Sequence, residues 1–208
     1  MLVCGPSSSG KTEFILQLIN ERDFLFDKEP SAVYWFHGTR TARHDDLIES
    51  DFILSDTIPS SFDKLYLDSI IVLDDMMETA KNMHAVTRLF TQLAHHRNYF
   101  VIFSTQNMFQ KSAEARTRSL NSQYMVLFKN PRDMGQIKTL GAQMYPNKAN
   151  FLEKAYKDAT FDSHAYLLID LHQDTSELIR LPSHILPGER PMWSYVDKRL
   201  KNDAGCLF

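Results

Sequence analysis

The chain has 208 residues, of which 43% are hydrophobic and 24% are charged, and its formal net charge at pH 7 is −3. This suits one globular domain and argues against a protein that coats nucleic acid over its whole surface, although not against one that grips DNA through a few basic loops. No apolar run approaches the ~20 residues that span a bilayer, and the two cysteines, Cys4 and Cys206, are too few for a disulfide framework or a four-cysteine metal site, so an intracellular protein without a membrane segment is expected.

Short apolar runs alternate with amphipathic helical patterns, which is typical of βαβ units around a mostly parallel sheet. The predicted strands span residues 1–4, 32–36, 70–73, 99–103, 124–128 and 165–169. The predicted helices span residues 12–20, 84–95, 133–143 and 149–157. Residues 38–66 are polar and remain unassigned, and the segment from Pro182 onward is expected to be irregular.

We therefore predict a single α/β domain over residues 1–190, with a mostly parallel central sheet flanked by helices, and a tail over residues 191–208. The first strand is short for a buried strand. An additional segment upstream of Met1 is accordingly expected in the intact protein.

Residues 5–12 match the phosphate-binding loop (Walker A) pattern at every fixed position, between a hydrophobic strand and an amphipathic helix. This context disfavours a chance glycine turn. Backbone N–H groups of such a loop and the helix N-terminus hold phosphates, the lysine reaches the β- and γ-phosphates of ATP, and the hydroxyl ligates Mg²⁺. The predicted nucleotide-binding residues are Gly5, Pro6, Ser7, Ser8, Ser9, Gly10, Lys11 and Thr12, with Thr12 also a magnesium ligand.

Two carboxylates follow the buried run at residues 70–73, as in a Walker B strand. Sheets of this kind bind ligands at the carboxyl ends of their strands. Asp74 is predicted to hold Mg²⁺, and Asp75 to orient or activate the attacking water. The alternative is an aspartate pair that caps the following helix.

A second buried strand ends in the amides Gln106 and Asn107. Gln106 is the preferred residue for positioning the attacking water, a role that glutamine has in other nucleotide hydrolases. A polar loop that only caps the next segment is the alternative. Arg116, Arg118 and Arg132 flank the next strand, and an arginine donated to a neighbouring active site can accelerate hydrolysis by ~10³–10⁵, although most arginines lie on solvated faces.

The order of phosphate loop, Asp-Asp strand and Gln-Asn strand end resembles that of the FtsK/HerA-type ATPases. More specifically, the chain is similar to the genome-packaging ATPases of poxvirus-like viruses and of Maverick/Polinton elements with their adintovirus relatives. The segments that carry this resemblance are residues 73–77, 89–91, 95–98, 105–107, 119–133 and 142–146. The resemblance extends over residues 1–187, and the Leu-Phe-Lys-Asn-Pro-Arg-Asp run is its most specific part.

The resemblance implies a RecA/ASCE-like fold and a homo-oligomeric ring that uses ATP and Mg²⁺ to pump double-stranded DNA into a preformed capsid. It implies that a capsid, portal or vertex protein is a partner, and that the site of action is the host nucleus, a cytoplasmic assembly site or the virion. By position, Arg116 is the preferred finger donated to a neighbouring subunit, and Arg132 is the second choice. Asp75 stands where many related motors have glutamate. Arg40 and Arg43 are weak candidates for DNA contact.

Two other functions stay open at this point. A nucleoside or nucleotide kinase usually carries an arginine-rich lid and an acceptor pocket, and neither is evident in the sequence. A non-catalytic subunit of an assembly complex would bind ATP and scarcely hydrolyse it, and the aspartate at position 75 is the feature that favours this alternative.

Overall fold

The computed structural model describes residues 1–38, 52–76, 80–108, 113–148 and 150–197. The strands in these ranges are β1 Leu2–Cys4, β2 Val33–His37, β3 Phe52–Ser55, β4 Ile70–Asp74, β5 Phe100–Thr105, β6 Tyr124–Phe128, β7 Tyr166–Asp170, β8 Pro182–Ser183 and β9 Trp193–Ser194. The helices are α1 Lys11–Asn20, α2 Arg22–Leu25, α3 Ala80–Arg88, a π-helical turn Leu89–Leu93, α4 Ala94–His96, α5 Ala113–Asn121, α6 Met134–Met144 and α7 Asn150–Ala159. Within these ranges, no helix is long and apolar enough to cross a membrane.

Seven strands form one sheet in the order β3-β2-β4-β5-β1-β6-β7. Neighbouring strands are parallel from β3 to β6, and β7 lies antiparallel to β6. The carboxyl ends of six strands therefore meet at one edge of the sheet, where such folds bind their ligands. Because β7 runs the other way, its amino end reaches this same edge.

The core has two layers because alternate residues of a strand face opposite sides of the sheet. Val3 packs with Phe14 and its neighbours from α1 on one face. Leu2 belongs to the cluster on the other face, which includes Leu89 of the π-helical turn and Leu152 of α7. Burial on both faces explains why these strands are almost continuously hydrophobic in sequence.

All six predicted strands are present, with ends within two residues of the prediction, and the predicted α/β fold with a mostly parallel sheet is confirmed. The helices predicted over 12–20, 133–143 and 149–157 correspond to α1, α6 and α7. The helix predicted over 84–95 was placed too late, since it begins at Ala80 and contains the π-helical turn.

The sequence missed β3, α2 and α5, and the segment expected to be irregular from Pro182 onward contains the short paired strands β8 and β9. Among the described strands, β3 lies at the edge of the sheet and pairs with β2 alone, so its side chains are half-exposed and Ile53 is 45% exposed. Helix α5 buries only Ala115, Arg118 and Ser119. Neither segment therefore shows the regular apolar pattern from which an element is predicted.

The closing segment stays in contact with the domain. The Ser183 hydroxyl donates to the Tyr166 carbonyl oxygen over 2.8 Å, β9 pairs with β8, and the Tyr195 hydroxyl donates to Asp158 over 2.7 Å. These contacts continue past residue 190, and the division of the chain at that point stays a prediction.

Candidate ATPase site

The phosphate loop connects β1 to α1, and both of its fixed glycines have a steric reason. A Cβ on Gly5 would lie 2.6 Å from the Ser9 hydroxyl and 2.7 Å from Cβ of Phe128, which no real side chain tolerates. Gly10 has φ 103, a left-handed conformation that favours glycine. The loop therefore keeps its shape only with glycine at these two positions.

The N-terminus of α1 presents backbone N–H groups to a phosphate. The helix begins directly after Gly10, and its first intrahelical bond runs from the N–H of Phe14 to the Gly10 carbonyl over 2.9 Å. The N–H groups before Phe14 have no acceptor within the helix. Together with the positive end of the helix dipole, they form a site for an anion.

Lys11 lies folded over the loop, and its side chain is 8% exposed. Its Nζ donates to the carbonyl oxygens of Gly5 and Pro6, each over 2.9 Å. Burial lowers the pKa of Lys11, and the nearby carboxylates of Asp75 and Asp74 partly oppose that shift. The ammonium group is thus held at the loop with few solvating partners, ready to exchange these carbonyls for phosphate oxygens.

The two halves of the predicted magnesium site are in direct contact. The Thr12 hydroxyl donates to Oδ2 of Asp74 over 3.0 Å, and Asp74 is buried at the end of β4. A hydroxyl and a carboxylate are oxygen ligands of the kind that Mg²⁺ prefers, and Mg²⁺ usually adds only one or two carboxylates to its substrate phosphates and waters. The donor set at Thr12 and Asp74 therefore fits this ion.

Asp75 turns away from the strand into an exposed position with φ 47. Gln106, at the end of β5, donates from Nε2 to Oδ1 of Asp75 over 3.4 Å. The structure thus brings the predicted base and the predicted water-positioning residue together.

Gly38 permits this arrangement, and no sequence motif singled it out. Its N–H donates to the Asp74 carbonyl over 3.1 Å, and a Cβ at this position would lie 2.2 Å from the Asp75 carbonyl oxygen. Only a glycine beside the end of β4 leaves room for the Asp75 peptide.

Asn107 faces a different neighbourhood from Gln106. Its Oδ1 accepts from Gln136 of α6 over 2.8 Å, and Gln136 also donates to Asp133 over 3.0 Å. Asp133 in turn accepts from Asn130 over 2.6 Å. This network ties the end of β5 to the loop after β6, so Asn107 has a structural role while Gln106 is free to face the acid.

The predicted arginines lie in unlike environments. Arg116 on α5 and Arg132 in the loop after β6 are both exposed, as a residue donated to another subunit has to be. Arg118 is buried, with its guanidinium 4.9 Å from the centre of the Phe103 ring. Arg40 and Arg43 lie outside the described residues.

A groove of about 710 Å³ opens beside the phosphate loop on the α1 side. Its walls come from α1, from β6 and β7, and from the closing segment; they include Thr12, Phe128, His164, Tyr166 and Glu189. Sequence reasoning did not find the last four. Phe128 reaches the phosphate loop because β6 pairs with β1, and His164 and Tyr166 reach it because β7 adds antiparallel to β6; Glu189 follows through its bond to Tyr166, and no local pattern encodes these placements.

Comparisons with known proteins give a likeness of fold. No protein-family model matches the chain, and no curated protein sequence does. Three solved structures of the genome packaging NTPase B204 from Sulfolobus turreted icosahedral virus 2 are similar. The structure with sulfate has a TM-score of 0.54 and 15% identity over 84% of this chain and 92% of that one.

The two other B204 structures hold ATP analogues. The complex with AMPPCP has a TM-score of 0.51 and 14% identity, and the complex with ATPγS has 0.50 and 15%. Each covers 84% of this chain and 93% of the B204 chain. With its phosphate loop and mostly parallel seven-stranded sheet, this chain has the P-loop NTPase fold that B204 also has.

Proposed function

We propose that this protein is an ATP-hydrolysing double-stranded DNA translocase that packages a viral or virus-like genome into a capsid. The observation that carries the ATPase part is the 3.0 Å bond between Thr12 and Asp74, with Asp75 and Gln106 beside it. The likeness of fold to B204, a genome packaging NTPase, and the sequence run over residues 119–133 support the packaging part.

In the proposed reaction, Lys11 leaves the carbonyls of Gly5 and Pro6 and binds the β- and γ-phosphates. Thr12 and Asp74 would hold Mg²⁺, which would neutralise charge on the phosphate oxygens. The oxygen of a water bonds to the γ-phosphorus while the bond from that phosphorus to the β–γ bridging oxygen breaks.

Asp75 accepts the proton that the attacking water loses. Gln106 donates its amide hydrogen to Asp75, so its own carbonyl oxygen stays available to accept a hydrogen bond from the water. This pair fixes both the position and the protonation of the nucleophile, which is the main task of the protein in phosphoryl transfer.

A neighbouring subunit completes the site with Arg116, or with Arg132 as the second choice. Both are exposed on the domain surface. Their charge would stabilise the transition state only when subunits meet in a ring, which couples hydrolysis to assembly. The DNA is held through its phosphates and is not read by its bases, and a capsid portal or vertex protein anchors the ring.

The decisive experiment measures ATP turnover by the oligomer with and without double-stranded DNA. Turnover that rises with DNA and is lost in Lys11→Ala is expected. Turnover indifferent to DNA contradicts translocation. Phosphate transfer to a nucleoside would establish a kinase, and binding without turnover would establish a non-catalytic assembly subunit.

The shared site is tested by mixing inactive subunits. Arg116→Ala and Lys11→Ala subunits should restore activity when combined, because an intact loop on one subunit then meets an intact arginine on the next. Arg132→Ala subunits are mixed in the same way. Absence of rescue at every ratio with Arg116→Ala removes Arg116 from this role.

A further inference from the structure

The groove beside the phosphate loop is lined in part by residues of that loop and of the start of α1. Gly10, Lys11 and Thr12 line it together with Leu186 and Glu189 of the closing segment. Pockets for ligands of nucleotide size occupy ~300–1,000 Å³, and this groove has about 710 Å³. It is therefore large enough for a nucleoside joined to phosphates in the loop.

The floor of the groove is a rigid aromatic cluster. Phe14 and Tyr166 have ring centroids 4.7 Å apart, and Phe128 lies 6.0 Å from Phe14 and 5.8 Å from Tyr166. All three side chains are buried. A flat apolar group can contact such a floor without any rearrangement of the core.

His164 stands at the rim. It has φ 62 and an exposed side chain, and its Nδ1 lies 3.3 Å from the position that a Cβ on Gly10 would take. The imidazole thus rests on the phosphate loop and faces the groove. Aromatic rings in such positions stack on nucleobases.

The turn over residues 186–189 forms another wall of the groove, and hydrogen bonds join it to both α1 and β7. Gln17 of α1 donates to the Pro187 carbonyl over 3.2 Å. Oε2 of Glu189 accepts from the Tyr166 hydroxyl over 2.7 Å and from the Leu186 N–H over 3.1 Å. Burial raises the pKa of Tyr166 well above its usual range, so its hydroxyl stays a donor. Both bonds use the same carboxylate oxygen, so Oε1 takes part in neither of them, and Glu189 is one of the residues that line the groove.

We propose that this groove is the nucleoside subsite of the ATPase, with the His164 ring stacked on the base and Oε1 of Glu189 accepting from the 6-amino group of adenine. The assignment rests on the proposed ATPase function. It predicts that the base adds affinity beyond the triphosphate, and that this increment depends on two residues outside the phosphate loop.

The test compares binding of ATP and of inorganic tripolyphosphate, which has no base, by calorimetry. His164→Asn removes the ring, and asparagine tolerates the left-handed backbone. It should weaken ATP binding about tenfold, as expected for a lost stacking contact, and leave tripolyphosphate binding unchanged. His96→Asn, at an exposed position on α4, is the matched control and should change neither. NMR signals of the His164 imidazole should shift with ATP and not with tripolyphosphate.

The second variant is Glu189→Gln, whose amide oxygen can still accept from Tyr166 and Leu186 while its NH₂ group replaces the outward acceptor. The preference for ATP over inosine triphosphate should fall about tenfold, with an unchanged melting temperature showing that the turn is intact. An equal loss for both nucleotides overturns the contact with the 6-amino group.

The outcomes separate this inference from the function on which it rests. If His164→Asn leaves ATP affinity unchanged, or weakens tripolyphosphate binding as much as ATP binding, the nucleoside subsite is wrong while the ATPase assignment stands. If the wild-type protein binds neither ATP nor tripolyphosphate, the proposed ATPase function fails as well.

Discussion

Replacing Gly38 with alanine tests whether the position of the Asp75 backbone controls hydrolysis. The added Cβ would lie 2.2 Å from the Asp75 carbonyl oxygen, whereas real Cβ contacts essentially never fall below 3.0 Å. The neighbour is backbone, which cannot rotate aside, so the Asp75 peptide must move by about 1 Å. A displacement of this size in a catalytic group costs about 100-fold in rate.

We expect Gly38→Ala to lower kcat about 100-fold and to change ATP affinity far less, because Lys11 and Thr12 lie on α1 and the bonds of Lys11 are made within the phosphate loop. Steady-state ATPase assays with calorimetric ATP binding measure the two quantities separately. The overpacking should also cost ~1–3 kcal/mol of stability, which a denaturant titration measures.

Gly135→Ala is the matched control. Nothing lies within 4 Å of a Cβ added there, and alanine is the better residue within a helix, so activity should be unchanged and stability equal or higher. A Gly38→Ala enzyme that folds and retains full kcat would refute the reasoning, since the clash would then have displaced Asp75 without consequence for hydrolysis.

Three further predictions follow from single contacts. Thr12→Ala should raise the Mg²⁺ concentration needed for half-maximal turnover by about 10–100-fold, as losses at metal sites do. Thr12→Ser keeps the hydroxyl that binds Asp74 and should change this concentration little. Equal effects of both variants would contradict the magnesium role. Lys11→Met should abolish turnover, because it removes the ammonium group, yet raise the melting temperature near neutral pH, because it removes a charge that burial penalises. Because burial lowers the pKa of Lys11 in the folded state, its buried charge destabilises the fold at neutral pH, and this destabilisation is relieved as pH rises through the folded pKa toward the unfolded pKa. The difference in melting temperature between Lys11→Met and the wild type should therefore shrink at high pH. A difference that grows with pH would contradict burial as the cause. Tyr156→Phe should cost about 1–3 kcal/mol in denaturant titrations, because its buried hydroxyl accepts from the Asn130 N–H over 2.7 Å, while Tyr195→Phe, at a partly exposed hydroxyl, should cost less.

The phosphate loop and the acid strand were predictable because their signals are local. Gly5 and Gly10 are required because a side chain there would collide with nearby residues of the loop or with the end of the adjacent strand, or would need a left-handed backbone. Their fixed spacing to Lys11 is set by the length of this one loop. Asp74 was found because a strand buried on both faces is a continuous apolar run, and a carboxylate that ends such a run lies at the ligand edge.

The remaining parts of the site depend on contacts between segments distant in sequence. Gly38 meets Asp75 only because β2 pairs with β4, and His164 meets Gly10 only because β7 adds to the sheet antiparallel to β6. A hydrophobic run predicts a strand and not its neighbour or direction. The sequence therefore indicated the residues that are proposed to bind phosphate and magnesium, and it could not indicate those that lie against the Asp75 peptide or line the groove.

The proposed binding mode has a consequence for how hydrolysis could drive movement. A nucleotide in this site would span the sheet, with its γ-phosphate at the ends of β4 and β5 and its nucleoside against β6 and β7. Hydrolysis changes only the phosphate end, and a ligand shifts a conformational equilibrium only through contacts that differ between states. A conformational change driven by hydrolysis would therefore start around Asp75 and Gln106. Gly38 contacts the Asp75 peptide, so a displacement of that peptide would be transmitted through Gly38 to β2 and to the edge of the sheet beyond it.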